Sequence, residues 1–463
     1  MTWRKVKIGD FLIEREGRYS PDNPEISHLK RIEKINFSGE IILSNKSSRT
    51  KMILVKGGDL VISGINVYKG ALAIYQGKED VTATIHYSSY QYDKNIIDIN
   101  YLKWFLKSKT FLNLIKEQVV GGIKTEIKPK HLLPLQINLP NLDEQKIITN
   151  RFEKSNDEYK QLLNEISHQQ TLIKKLKQSI LQDAIQGKLT EEWRNSIFKS
   201  HPELASGSQK SVTLEDGSVY EPASVLLQKI KAEKDKLIAE GKIKKGKKQT
   251  SNELNNNAIT LPHHWCIVDL DDITLYITDG THQTPSYTSE GKMFLSAQNV
   301  KPFKFMPEKH RCISEEAYQR YIKNRLVEFE DILIGRVGAG IGETAVVDKK
   351  LEFAIYVSLG LVKTFKKFSN PNYLAIVFNS PYGVKYSKGN ISSGGGSAGN
   401  FNLGRIRSFP IPLPPLIEQK LIVEKLDKLM NKINLLEKQI EQNKTNAEML
   451  IQAVLKEAFE EKS

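Results

Sequence analysis

Cysteine is nearly absent: Cys266 and Cys312 are the only two in 463 residues. That excludes a disulfide framework, leaves no paired-cysteine zinc signature, and suits a reducing cytoplasm. No run approaches the ~18 apolar residues that a membrane span needs. The opening MTWRKVKIGDFLIEREG carries charges throughout and has no apolar segment, so neither export nor insertion is expected. No Walker lysine is present, and no nucleophile, base and orienter can be assembled from spacing, so the chain reads as catalytically silent. What the chain has is positive charge: 68 Lys and Arg against 54 Asp and Glu give a net +14. Such an excess favours a polyanionic partner, because neutralising phosphates supplies affinity independent of sequence.

The chain is also a tandem duplication. LPNLDEQKIITNRF at 139–152 recurs as LPPLIEQKLIVEKL at 413–426, a displacement of 274 (413 minus 139). The same displacement pairs GGIKTEIKPKHLLPLQI (121–137) with GGSAGNFNLGRIRSFPI (395–411). A displacement of 272 (330 minus 58) pairs GDLVISGINVYKGALAI with EDILIGRVGAGIGETAV, and Trp3 answers Trp265. Each copy is a globular part followed by proline punctuation and a helix. The globular parts, 1–140 and 262–411, read as mixed α/β (α+β), since short Val/Ile runs bounded by glycine alternate with short helical stretches such as 100–118.

A long helix follows each globular part, at 141–187 and 412–463. In the second, Leu426, Leu429, Ile433, Leu436, Ile440, Asn443, Ala447, Leu450 and Val454 keep the 3,4 spacing of a seam that supercoiling helices bury. In the first, the matching positions are Phe152, Ser155, Tyr159, Leu162, Ile166, Gln169, Ile173, Leu176 and Ile180. Two matching seams, each with one amide at the same step (Gln169, Asn443), predict that the helices pair with each other as an intrachain coiled coil. Connectivity makes the pair antiparallel, with one domain at each end. Asn141 is expected to cap the first helix with Glu144 reaching back as in a capping box, Pro415 to open the second, and Gly187 to end the first. Residues 188–261 read as a basic helical linker with a solvated face, fading into KKGKKQTSNELNNN.

Four motifs suggest chemistry and are set aside. GIGETA (340–345) matches a dinucleotide fingerprint, but no helix-length segment follows within a βαβ unit, so it reads as a glycine hairpin. NSPY (379–382) resembles an adenine-methyltransferase loop with serine in place of its first proline, and reads as a helix-ending turn. EQK recurs at 144–146 and 418–420, where an acidic residue suits a helix start better than a nuclease site. His263, His264, Cys266, His310 and Cys312 fit no common zinc spacing, so no metal site is expected.

The remaining chemistry is recognition. DGTHQTPSY (279–287), GRVGAG (335–340) and SGGGSAGNFNLGR (393–405) interleave glycines with base-reading donors and acceptors, and GINVYKG (64–70) and GGIKTEIKPK (121–130) are their counterparts in the first copy. The candidate contacts to DNA are Lys69, Lys124, Lys128, Thr281, His282, Gln283, Thr284, Arg336, Ser397, Asn400, Asn402 and Arg405. The candidate helix-pairing residues are Leu162, Ile166, Gln169, Ile173, Leu436, Ile440, Asn443 and Leu450.

The repeated LPNLDEQ and LPPLIEQ boundaries, QGKLT (186–190), EPASVLLQKIKAEKDKLIAEGK and DGTHQTPSYTSEG with its downstream SAQNV together resemble the specificity subunits of type I restriction-modification systems across essentially the whole chain. The resemblance implies two target-recognition domains alternating with two spacer helices. It implies that double-stranded DNA is read as a bipartite target. It also implies two methyltransferase subunits and translocase-nuclease (restriction) subunits as partners, with S-adenosylmethionine, ATP and Mg bound by those partners and no cofactor by this chain. The first domain lacks a DGTHQTP-like string. Three alternatives carry their own signatures: the recognition subunit of a related bipartite-site system, a self-contained methyltransferase or nuclease, and a coiled-coil scaffold without DNA affinity.

Overall fold

The computed structural model describes residues 3–46, 48–66, 69–118, 126–205, 210–244, 259–391 and 399–459. The chain forms two compact units, one of residues 1–169 with 439–463 and the other of residues 170–438. The unit boundary therefore falls inside the long helices, not at their ends.

In the first unit, strand Arg4–Lys7 pairs antiparallel with Gln136–Leu139 and closes the globular part beside the helix start. One four-stranded sheet runs Leu12–Glu14, Tyr87–Tyr92, Leu60–Ser63, Leu72–Ile74, and a second runs Ile41–Ser44, Arg31–Ile35, Val81–Thr84, Met52–Val55. Leu60–Ser63 is buried along its length, which is why it reads as an unbroken apolar run where an edge strand would alternate. Helices Ile99–Phe105 and Lys109–Gln118 bury Tyr101, Leu102, Phe105 and Phe111 in the same core.

The second unit repeats this frame. Cys266–Asp269 pairs antiparallel with Pro410–Leu413. A four-stranded sheet runs Thr274–Asp279, Leu359–Thr364, Ile332–Gly335, Thr344–Val346 around a wholly buried central strand. The correspondence reaches single hydrogen bonds. Gly58 N–H donates to the Tyr75 carbonyl at 2.7 Å and Tyr75 N–H to Asp59 at 2.9 Å; Glu330 N–H donates to Val347 at 2.8 Å and Val347 N–H to Asp331 at 2.8 Å. The first residue of this turn is left-handed in both, as Gly58 (φ +89°) and Glu330 (φ +69°), although a side chain there costs roughly 1–2 kcal/mol.

The long helices are Leu142–Ile185 and Leu416–Ala458. They run antiparallel in each unit: Phe152 shares a core with Ile451 and Leu455, and Leu181 and Ile185 share one with Ile422 and Leu426. The seam is narrower than its spacing suggested. Phe152, Ile166 and Ile173, and Leu426, Ile433, Ile440 and Ala447, are buried at intervals of seven or a multiple of it. The intervening Leu162, Leu436 and Leu450 are 44–65% exposed, Asn443 is exposed and Gln169 half-buried. Gln169 bonds Glu165 on its own helix, and Asn443 bonds Gln439, so neither amide sits between the helices. Two helices alone bury one row each, and the second apolar row faces outward. The helix ends do further work: Ile451, Leu455 and Phe459 enter the first domain's core, where the Phe459 ring lies 5.1 Å from Tyr101.

The segment after the first helix is not a solvated linker. Gly187 (φ +72°) turns the chain out of the helix. Helix Ala223–Ala239 buries Leu226 and Ile230 in the second unit's main core, and Lys234 bonds both the carbonyl and the carboxylate of Asp271. The Lys-rich stretch from 245 to 258 lies outside the described residues.

Candidate nucleic-acid interface

The duplicated EQ pair shows how each globular part is fastened to its helix. The Trp3 indole donates to Glu144 at 3.0 Å and the Trp265 indole to Glu418 at 2.9 Å. Gln145 accepts from Asp98 N–H and donates to Ile96 and Pro140, while Gln419 accepts from Asn370 N–H and donates to Pro414. Asn141 does cap the first helix, accepting from Glu144 N–H at 2.9 Å, but the Glu144 carboxylate holds Trp3 and does not reach back to complete a box. Glu418 is wholly buried and also accepts from Thr190 and Arg194 at 2.7 Å, with His264 at 3.2 Å. Burial alone would raise its pKa; the His264 contact, the charges of His264 and Arg194 and the Thr190 hydroxyl hold it below the usual carboxylate range.

The other set-aside motifs also find structural places. Gly342 N–H bonds Gly335 and Gly335 N–H bonds Glu343, each at 2.8 Å, closing the glycine hairpin. Asn379 holds both backbone groups of Thr344, and Ser380 caps the helix Pro381–Gly389. Burial pushes the Cys266 thiol up to about 11. Among the described residues no group of three or more His, Cys, Asp or Glu could hold a metal ion.

The candidate reading residues of the second domain divide into outward and inward groups. His282, Gln283 and Thr284 are exposed on the loop after strand Thr274–Asp279. Thr281 is buried, its N–H bonded to Ile355 at 2.9 Å and its hydroxyl accepting from Gln283 N–H. Arg336, expected to contact DNA, is only 4% exposed and is spent on Asp279, Val357 and Phe401. Asn402 caps the short helix Leu403–Arg407, and Arg405 donates to Asn390 at 2.6 Å. Asn400 lies in a bridge with Val337. Arg336, Thr281, Asn402 and Arg405 thus shape the loops, their polar groups taken up by backbone and side-chain partners of the same domain. Ser397 lies outside the described residues.

In the first domain Lys69 is exposed, with its ammonium 5.6 Å from the Phe37 ring centre. Lys128 stands 3.7 Å from Glu126, which also meets His86 at 3.2 Å. Lys124 lies outside the described residues.

Two groupings escaped sequence reasoning. Lys107 donates to the Phe37 carbonyl at 3.3 Å and sits 4.8 Å from the Trp104 ring centre, so Lys69 meets the ring of Phe37 and Lys107 its backbone; burial, with Lys103 and Lys160 nearby, pushes the Lys107 ammonium down to about 8. The four-residue spacing of Lys103, on helix Ile99–Phe105, and Lys107, in the turn that follows it, was the available signal. In the second domain the Arg311 guanidinium stacks 4.4 Å from the centre of the exposed Tyr287 ring, beside the 281–284 loop. The bridge of Thr288 with Cys312, continuing the pairing of Lys292–Leu295 with Arg311–Ile313, brings them together.

Residues 241–444 match the model for the type I restriction modification DNA specificity domain. Among curated proteins, the EcoKI specificity subunit of Escherichia coli K12 is 21% identical over 79% of this chain, and the EcoAI subunit of E. coli is 26% identical over 58%. Over residues 241–444 the chain thus carries this specificity domain, and its curated relatives are type I restriction specificity subunits. These matches span 66% and 41% of the two relatives' own lengths. The fold is that of the HsdS subunit from Thermoanaerobacter tengcongensis, with TM-score 0.53 and 16% identity over 99% of this chain and 96% of that one. A chain from a structure concerned with complex assembly and conformational transition of the type I R-M system superposes with TM-score 0.60, at 16% identity over 99% and 97% of the two chains. The loop Thr281–Tyr287, with Arg311, and the exposed Phe37 with Lys69 are the candidate surfaces.

Proposed function

We propose that this chain is the non-catalytic DNA-specificity subunit of a type I restriction-modification complex, with each domain reading one half of a bipartite target. The observation that carries the reading is a domain repeated at the level of single backbone hydrogen bonds, yet carrying different exposed side chains in the two copies. A repeated frame with unlike outward residues suits two readers of unlike half-sites. The positive charge supports attachment to phosphate, and the exposed His282, Gln283, Thr284, Tyr287 and Arg311 supply donors, acceptors and stacking for base edges.

The outward apolar row supports docked partner subunits, since exposed apolar patches commonly mark interaction surfaces. It includes Leu162, Met449 and Leu450 in the first unit and Leu172, Leu176, Leu435 and Leu436 in the second. Those partners are two methyltransferase subunits, with S-adenosylmethionine, and restriction subunits, with ATP and Mg. Mapping methylated adenines in cells holding this chain and its methyltransferase tests the reading. Exchange of residues 263–410 for a relative's should change one half of the target and leave the other. Inserting four residues near Gln186 adds roughly 6 Å of helix and should lengthen the gap between unchanged half-sites. Methyl transfer by the purified chain alone would overturn the non-catalytic assignment.

A further inference from the structure

The inward-facing Arg336 has a larger consequence than its loss as a DNA contact. Its Nη1 bonds Asp279 and the Val357 carbonyl (3.0 Å), and its Nε bonds the Phe401 carbonyl (3.1 Å). Its own backbone N–H donates to Ser358 and its carbonyl accepts from Phe401 N–H, each at 2.9 Å. One residue therefore ties three separate segments, near 279, 357 and 401, to the end of the central strand. Asp279 is 7% exposed, and its Oδ2 also lies 3.1 Å from His282 Nε2, while the His282 side chain is 67% exposed. A carboxylate only accepts, so this contact requires the proton on Nε2, and in that tautomer Nδ1 is the acceptor of an exposed side chain.

The first domain keeps the backbone of this junction without the side chain. Gly64 N–H donates to His86 at 2.9 Å and Ile127 N–H to Gly64 at 2.8 Å, matching the Arg336 pair. A Cβ at Gly64 would meet the Glu126 side chain and the Ile127 carbonyl at 2.8 Å, so Glu126, which also meets His86, crowds the space that a side chain at this position would need.

We propose that Arg336 and Asp279 are positioning residues of the second reading surface, and that they present His282 as a specificity-determining residue whose Nδ1 accepts from an exocyclic amino group, that of adenine or cytosine. This rests on the DNA-reading assignment above. Arg336 contributes its planar fork, which lysine cannot reproduce, because two nitrogens address three acceptors in fixed directions. Asp279 contributes the orientation of the imidazole. His282 contributes the readout.

The test uses the full chain with its methyltransferase partner, competed against duplexes varied at each target position, with thermal unfolding as the folding control. His282→Ala should lower discrimination about tenfold at a single position of one half-site, the scale of one base contact. Asp279→Asn should relax that same position, and His282→Asn, an acceptor of similar reach, should restore part of it. Arg336→Lys should lower discrimination across that half-site while the other half is read as before. A folded Arg336→Lys complex with unaltered discrimination would overturn the positioning role, and His282→Ala with every position read as before would overturn the readout. Should Arg336→Lys fail to fold, the Asp279→Asn and His282→Ala pair decides between those outcomes. Wild-type complex that fails to distinguish any duplex rejects the DNA-reading assignment itself, a separate result.

Discussion

At the turn entering the central strand the first domain places Asp59 and the second Asp331, and both accept from a backbone N–H three residues back, of Lys56 at 2.9 Å and Glu328 at 2.7 Å. Beyond that bond the two part. Asp59 takes both nitrogens of the Arg15 fork, at 2.6 and 2.7 Å, and the Ser89 hydroxyl at 2.8 Å. Burial pulls its pKa up, but the Arg15 and Lys56 hydrogen bonds, the Ser89 hydroxyl and the Arg15 charge leave it below the usual range. Asp331 shares the one ammonium of Lys363 with Glu328, and burial, the largest influence, leaves its carboxyl above the usual range. The helix junctions diverge in the same way: Glu144 is half-buried with Trp3, whereas Glu418 is sealed with Arg194, Thr190, His264 and Trp265. The difference teaches that duplication preserved the backbone frame while each copy solved the neutralisation of its buried acids separately.

The sharpest break in the comparison should come at the junction glutamates. Glu418→Ala strands the buried Arg194 guanidinium, a loss of about 3–5 kcal/mol. Glu144→Ala removes one hydrogen bond at a half-buried site, about 1 kcal/mol. Denaturant unfolding followed by tryptophan fluorescence measures both, and equal losses would show that the Arg194 contact adds nothing to the junction. Next in size, Ile230→Ala should cost the second unit roughly 2–5 kcal/mol through a core cavity, leaving the first unit's amide exchange unchanged. Wild-type stability in that variant would return helix Ala223–Ala239 to the status of a linker.

A smaller effect separates the two turn aspartates. Asp59→Asn should cost about 1.5–3 kcal/mol at neutral pH, the value of hydrogen bonds to a charged group, and Asp331→Asn less. Their pH dependence should have opposite sign. A lowered carboxylate pKa contributes stability above the unfolded value, roughly 3.9, that is lost as pH falls through the folded pKa. A raised one contributes stability that is present at low pH and lost as pH rises through the folded pKa. The advantage of wild type over Asp59→Asn should therefore shrink on acidification, and that over Asp331→Asn should grow. Urea titrations of the three proteins between pH 3 and 7 check this, and parallel curves for the two variants would remove the distinction. The least effect is expected at Leu436 and Leu450: either residue changed to Gln should alter the melting temperature of the isolated chain little, since both are more than half exposed, while weakening capture of the methyltransferase partner. A large loss of stability with unaltered capture would place these leucines in the helix pair after all.

The duplication was legible because displacement is a property of the linear chain, and so were the long helices and their antiparallel sense, which follow from a seven-residue period and connectivity. Half of the seam was legible for the same reason. Which row faces outward was not, since a 3,4 pattern is the same whether one row or both are covered. Among the candidate site residues, the exposed His282, Gln283 and Thr284 lie where a turn-rich polar string suggested. Arg336, Asn402 and Arg405 turned inward, and nothing local distinguishes an arginine that meets solvent from one that ties three loops together.

The repeat, the long helices and one row of their seam were thus determined by the sequence alone, through propensities and periods that act over a few residues. The tertiary structure decided which charges are buried and with whom. Arg336 meets Asp279 across 57 residues and Arg194 meets Glu418 across 224, and such a pairing forms only where packing excludes water and brings opposite charges from distant segments together.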